Sequence, residues 1–259
     1  MVFIGVLVFI GLTGKPGSRH QSGKHKNEDT QLDIYLLIGQ SNMAGRAQIS
    51  PPDYDTLQDV YLFRGDSVSL WELAVNPLNR YSTIRRELSA QQLSPGYYFA
   101  KTMKKDDPSG RIGLVVNARG GTSIDLWAPG SEYFTEAVRR TKEALQSGRL
   151  KAILWHQGES DVKKYQEYPE KIRVLIRALR KEFQRDDLPF IAGEVAEEKK
   201  FRAEFNVMLK ETLQTVPYTA LVSSAGLTTY DSTHFDTPSM RMLGERYATE
   251  TLKLLGEKK

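Results

Sequence analysis

Apolar positions fall along this chain in two rhythms. Short, nearly unbroken runs occur at Asp33–Ile38, Ile112–Val116, Ala152–Trp155, Pro189–Ala192 and Ala220–Val222. Runs of this kind, closed by Gly, Pro or polar residues, predict strands buried on both faces. Between them the spacing changes to three and four, as in Tyr133, Ala137, Val138, Thr141, Leu145 and again in Ile172, Leu175, Ile176, Leu179, Phe183. That spacing places apolar side chains on one face of a helix. A last helix is predicted from about Ser239 to Leu255, with Leu243, Tyr247, Ala248, Leu252 and Leu255 on one side. Strands alternating with helices imply an α/β fold whose mostly parallel sheet is covered on both faces.

Two stretches break the rhythm. From about Ala47 to Pro95 there are Pro and Asp residues and the aromatics Tyr54, Tyr61, Phe63 and Trp71, but no sustained period. This predicts a long excursion after the first strand, with short strands around Val60–Phe63, forming one wall of a pocket. The other stretch is residues 1–30, where an apolar run, Met1 to Leu12, precedes a polar linker rich in Gly, Ser, Lys and His. The run is short for a membrane span and suits a secretory signal, although no Lys or Arg precedes it. The expectation is an exported, secreted or periplasmic protein with one globular domain over residues 31–259 and no membrane span within it.

Setting the leader apart changes the charge. Of 36 Lys and Arg, Lys15, Arg19, Lys24 and Lys26 precede Asn27 with no acid among them, so the remainder carries 32 charges of each sign. A remainder with no net charge gives no reason to expect nucleic acid or an anionic membrane as partner. Cysteine is absent, which excludes disulfides, a thiol nucleophile and thiolate metal sites. His20 and His25 lie in the leader, leaving His156 and His234.

The first strand ends in Gly39-Gln40-Ser41-Asn42-Met43. A hydroxyl at the carboxyl edge of an α/β sheet stands where such folds bind ligands, so Ser41 is a candidate nucleophile. The alternative is a helix N-cap. Other strand ends add Asn117-Ala-Arg-Gly-Gly-Thr-Ser-Ile-Asp-Leu-Trp127, His156-Gln-Gly-Glu-Ser-Asp161 and Asp231-Ser-Thr-His-Phe-Asp236. A serine needs a base within hydrogen-bond reach and donors for the oxyanion formed on attack. His234 is the natural base, with Asp231 placed to orient it, although the two also suit a surface turn. The amides at Gly120 and Gly121 and the side chain of Gln157 are candidate oxyanion donors. His156 and Glu159 admit three roles: inward supporting groups, an alternative acid partner for His234, or, for His156, a satisfied core residue. A metal held by His156, Glu159 and Asp161 fits no familiar ligand spacing. Asn42, Arg46, Arg119, Asp125, Trp127 and His156 border the motifs as candidates for substrate contact, Trp127 by stacking on a sugar ring.

Taken together, Gly39–Met43, Ala118–Trp127, His156–Asp161 and Asp231–His234 resemble the SGNH hydrolase superfamily, in particular its sialate O-acetylesterase-like group, which includes the family-six acetylxylan esterases. The resemblance implies a three-layer α/β/α, flavodoxin-like sandwich with about five strands, and cofactor-free hydrolysis of acetyl esters on an oligo- or polysaccharide. It also implies Ser41 as nucleophile, His234 and Asp231 as base and acid, and Ser41, Gly120, Gly121 and Gln157 around the oxyanion. Gln157 stands where the wider superfamily has Asn. Glu159 is the alternative acid within the family pattern. A G-x-S-x-G hydrolase is disfavoured by Met43 at the last Gly position and by an acid just before the histidine. The remaining alternatives are a catalytically inactive carbohydrate-binding relative and an SGNH lipase or thioesterase.

Overall fold

The computed structural model describes residues 1–5, 31–66 and 69–256. Most of the predicted signal-like run and its polar linker lie outside these residues. The chain divides into Met1–Thr30 and Gln31–Lys259, and the fold is that of the second unit.

The five predicted strands are all present, as β1 (Leu32–Gly39), β4 (Ile112–Ala118), β5 (Gly148–His156), β6 (Phe190–Gly193) and β7 (Thr219–Val222). The sheet has seven strands instead of about five, because the irregular excursion adds β2 (Leu57–Phe63) and β3 (Trp71–Ala74). Their order is β3-β2-β4-β1-β5-β6-β7, and β3 alone runs antiparallel to its neighbour. β3 is a four-residue edge strand with an exposed Leu73, too short and too mixed to show a period.

β1 shows why the central runs are almost unbroken in apolar residues. Ile34, Leu36 and Ile38 enter one core and Tyr35 and Leu37 the other. The one-turn α1 (Ser41–Ala44) follows β1 directly. On the Tyr35 side, α2 (Pro95–Asp106) contributes Tyr97, Phe99 and Met103, and α6 (Thr237–Gly256) contributes Met240, Leu243 and Tyr247. On the other side lie α3 (Glu132–Ala144), α4 (Tyr168–Glu182) and α5 (Arg202–Gln214). The result is the expected α/β/α sandwich. No helix among the described residues is long and apolar enough to cross a membrane.

Strand register sets the site. Gly39 pairs with Ala118 on one side and His156 on the other, so β1, β4 and β5 end at one level. Gly39 has φ of 137°, and a Cβ there would press into the His156 carbonyl. Only glycine lets the two strands close this tightly before the chain turns into Ser41.

Candidate active site

Ser41 does not cap the helix. It is the first helical residue; Gln40 occupies the cap position without a side-chain cap bond. The Ser41 hydroxyl instead lies 3.0 Å from Nε2 of His234, and Nδ1 of His234 lies 2.6 Å from Oδ2 of Asp231. The other carboxylate oxygen, Oδ1, accepts from the backbone N–H of Thr233 (2.9 Å) and of His234 (2.7 Å). Burial pushes the Asp231 carboxyl upward, but the bonds from the His234 ring and from these two amides outweigh it and leave the pKa below the ordinary carboxylate range. An ionised carboxylate only accepts, so Nδ1 carries the proton and Nε2 offers a lone pair to the serine hydroxyl. Tyr230 stacks on the imidazole, with centroids 5.8 Å apart.

The backbone N–H groups of Ser41, Gly120 and Gly121 make no hydrogen bond within the described residues. They stand at the ends of β1 and β4, on the wall of a cleft of about 970 Å³ that also contains Ser41, His234, Gln40 and Phe201. A hydroxyl with a base, an acid and free N–H donors in an open cleft can attack a carbonyl and stabilise the charge that develops on its oxygen.

Residues 31–253 match the family described as carbohydrate esterase, sialic acid-specific acetylesterase. The chain belongs to this family of carbohydrate esterases. A probable carbohydrate esterase of Arabidopsis thaliana is 33% identical over 183 residues, covering 63% of this chain and 68% of the relative. A solved Arabidopsis thaliana protein is 29% identical with a TM-score of 0.75, covering 86% of this chain and 98% of its own. A novel carbohydrate acetylesterase of Xanthomonas citri shares the fold, with a TM-score of 0.64 and 21% identity over 87% of this chain and 57% of that one.

In this esterase Asn42 fastens the loop that carries His234. Its Nδ2 donates to Glu159 Oε1 (2.6 Å) and to the Thr233 carbonyl (3.1 Å), while its Oδ1 accepts from Phe235 N–H (3.2 Å). The backbone on both sides of His234 is thereby tied to α1. Glu159, with a nearly buried side chain, thus anchors Asn42 and makes no bond to His234; the ring nitrogen facing an acid is held by Asp231. His156 is fully buried, and its Nδ1 lies 3.0 Å from the Tyr247 hydroxyl, which donates to the Trp155 carbonyl (2.7 Å). Burial lowers the His156 pKa, with Glu159 pulling the other way. His156 Nε2 and Glu159 Oε1 are 3.7 Å apart, and neither His156 Nε2 nor Glu159 Oε2 has a hydrogen-bond partner.

Several expected contacts with substrate do not form part of the cleft. The amide nitrogen of Gln157 is surrounded by Gln40 Oε1 (3.1 Å), the Thr122 carbonyl (2.8 Å) and Asp161 Oδ2, and its oxygen accepts from Tyr168. Fully buried and occupied, it has no free donor for an oxyanion. Gln40 lines the cleft in its place, its Oε1 also receiving Gly158 N–H (3.3 Å). Trp127 is fully buried, edge-on to Trp155 at 5.4 Å, with Nε1 bonded to Thr122. Arg119 reaches the Ile84 carbonyl and lies over Tyr133. Asp125 pairs with Lys171 at 2.9 Å. The metal alternative fails on Asp161, which accepts from Ile124 N–H and Gln157. Of the residues proposed for substrate contact, Arg46 does line the cleft.

Like Gln40 and Tyr230, Arg202 and Phe201 were not anticipated at the site. Arg202, almost wholly buried, donates to the carbonyls of Ala196 (3.1 Å) and Ser232 (2.8 Å) and to Thr233 Oγ1 (3.2 Å), bracing the dyad loop from below. Phe201, exposed on the rim, adopts φ of 69°, uncommon for a bulky residue. Both sit at the start of α5, whose apolar side chains at Phe205, Leu209 and Leu213 are spaced four apart.

Proposed function

We propose that this esterase removes O-acetyl groups from an acetylated oligo- or polysaccharide through a Ser41-linked acetyl intermediate. The observation that carries this is the continuous chain from Asp231 through His234 to Ser41, opening on a cleft beside unpaired backbone N–H groups. Ser41 Oγ forms a bond to the acetyl carbon as its proton passes to His234 Nε2, and the carbonyl electrons move to oxygen. The N–H groups of Ser41 and Gly120 or Gly121 receive that oxyanion. On collapse the carbon–sugar oxygen bond breaks, and His234 returns the proton to the sugar oxygen. Water, deprotonated by His234, then attacks the acetyl-serine; the bond from the acyl carbon to Ser41 Oγ breaks, His234 returns the proton to Oγ, and acetate is released. Asp231 stays ionised throughout and stabilises the imidazolium.

Acetate release from acetylated xylan, pectin and sialic acid by the wild-type chain, together with hydrolysis of para-nitrophenyl acetate, tests this proposal. A Ser41→Ala protein that kept the wild-type rate would overturn the mechanism. A purely carbohydrate-binding relative would release no acetate at all. A series of longer acyl esters distinguishes an acetylesterase, which should prefer the two-carbon acyl group, from a lipase or thioesterase. Export to a secreted or periplasmic location rests on the apolar Met1–Leu12 run, and sequencing the amino terminus of the native protein tests it.

A further inference from the structure

With Gln157 engaged inside the protein, the oxyanion has only backbone amides to receive it, unless another side chain stands beside them. Arg46 does. The one-turn α1 that begins at Ser41 ends at Gly45, whose φ of 94° favours glycine and whose Cβ, if present, would lie 2.3 Å from the Gln92 carbonyl oxygen. Arg46 follows at once and lines the cleft.

A Cβ built on Gly120 would lie 2.6 Å from Arg46 Nη2 and 3.3 Å from Ser41 Cβ, so a methyl-sized gap beside Gly120 parts the guanidinium from the nucleophile. Arg46 Nη1 donates to the carbonyls of Gly45 (2.7 Å) and Ala90 (2.8 Å), which fixes the group from behind. Nη2 and Nε make no hydrogen bond, and Arg46 forms no ion pair, among the described residues. Burial lowers the Arg46 pKa below the ordinary arginine value, opposed by Tyr230 and Glu87 and reinforced by Arg86. The guanidinium stays protonated near neutral pH all the same. A partly desolvated cation without a counter-charge is unfavourable until negative charge appears beside it. A neutral acetyl ester brings none, whereas the tetrahedral intermediate carries a full charge on the former carbonyl oxygen, so the attraction is strongest where it accelerates the reaction.

We propose that Arg46 is a catalytic residue whose Nη2 donates to the oxyanion beside the Ser41 and Gly120 amides, so that the side-chain donor of this oxyanion hole is a cation following α1 instead of Gln157. This rests on the Ser41 mechanism proposed above. Arg46 makes and breaks no covalent bond and keeps its protons while the carbonyl electrons move to oxygen and back. Attack by Ser41 and attack by water both pass through an oxyanion, so the residue serves both half-reactions.

The test uses para-nitrophenyl acetate, which carries no sugar, so that any contact of Arg46 with glycan plays no part. Arg46→Gln should lower kcat about 100- to 1000-fold, the size of effect of losing one oxyanion donor, with KM within about threefold of wild type. Arg46→Lys, which keeps the charge, should retain part of the rate. Lys163→Gln, which removes an exposed cation from the same cleft, should stay within about twofold of wild type. Because Arg46 also joins Gly45 to Ala90, chemical rescue separates charge from structure. Millimolar guanidinium should raise the kcat of Arg46→Ala about tenfold, and urea, a neutral molecule of similar shape, should not. Methylboronic acid, whose boron bonds to Ser41 Oγ as His234 takes the proton, forms a tetrahedral anion without turnover; its affinity should fall in Arg46→Gln by about the same factor as kcat. An Arg46→Gln protein with the wild-type kcat, or rescue by urea equal to that by guanidinium, overturns the assignment of Arg46. A wild-type chain inert toward para-nitrophenyl acetate and without affinity for the boronic acid would instead overturn the Ser41 mechanism itself.

Discussion

Among the described residues the esterase contains two histidine–carboxylate pairs with the same three-residue spacing, and they differ in almost everything else. Asp231 and His234 sit on a loop, partly open to the cleft, and meet at 2.6 Å with the ring's other nitrogen on Ser41. His156 and Glu159 sit where β5 ends, the histidine fully buried and the Glu159 side chain nearly so at the cleft wall, with Nε2 and Oε1 3.7 Å apart and no direct hydrogen bond. The first pair has a defined proton path and access to substrate. The second has no such path to Ser41, and its acid works through Asn42, fixing the backbone on which the first pair is displayed. Spacing of residue types does not confer proton-transfer chemistry; the environment that aims the second ring nitrogen does.

The largest test of that contrast is removal of the exposed pair's partners. Ser41→Ala and His234→Ala should each lower kcat/KM for acetylated oligosaccharide by roughly 10⁴- to 10⁶-fold, because neither attack nor proton transfer survives. Asp231→Asn should lower it roughly 10³- to 10⁴-fold by permitting the wrong tautomer. Equal or greater loss in Glu159→Gln would invert the comparison.

Loosening the loop should cost less. Asn42→Ala frees the backbone on both sides of His234 and should reduce kcat about 100-fold, with KM changing much less, since misplacement of the base by about 1 Å has an effect of that order. Glu159→Gln preserves an acceptor for Asn42 and should reduce kcat no more than about tenfold. A steady-state kcat and KM comparison of the two variants separates them.

The smallest effect concerns stability. Burial holds His156 neutral in the folded chain, whereas the unfolded chain binds a proton there near pH 6.5. Below that pH the unfolded state carries the extra proton, so stability falls as pH drops, by up to about 1.4 kcal/mol per pH unit. His156→Gln should flatten this slope in denaturant titrations performed on either side of pH 6.5. Asp231 acts in the same direction at lower pH: its depressed pKa stabilises the fold above the ordinary carboxylate pKa, and that contribution is lost as pH falls through the folded value. A partly exposed side chain keeps that term small.

The sheet was readable where strands are buried on both faces, as with Ile34–Ile38, because every residue there must be apolar. β3 escaped because an edge strand of four residues, half exposed, carries no such requirement. At the site, strand ends could be recognised from Gly39-Gln-Ser and His156-Gln-Gly-Glu, but the direction of a side chain depends on neighbours far away in the chain. Gln157 turns inward because Thr122, Asp161 and Tyr168 offer it partners there. Trp127 turns inward onto Trp155, while the cleft takes its aromatic side chain from Phe201, a residue with no distinguishing local pattern. Arg202 was hidden for the same reason: two of its three acceptors are backbone carbonyls, which sequence does not label.

Ser41 and His234 are separated by 193 positions. At ribosomal speeds of roughly 5–20 residues per second, the serine emerges roughly 10–40 s before the histidine. Until the segment after β7 has been made and Asn42 has captured it, the hydroxyl is an ordinary alcohol, so a nascent chain is chemically silent toward any ester it meets.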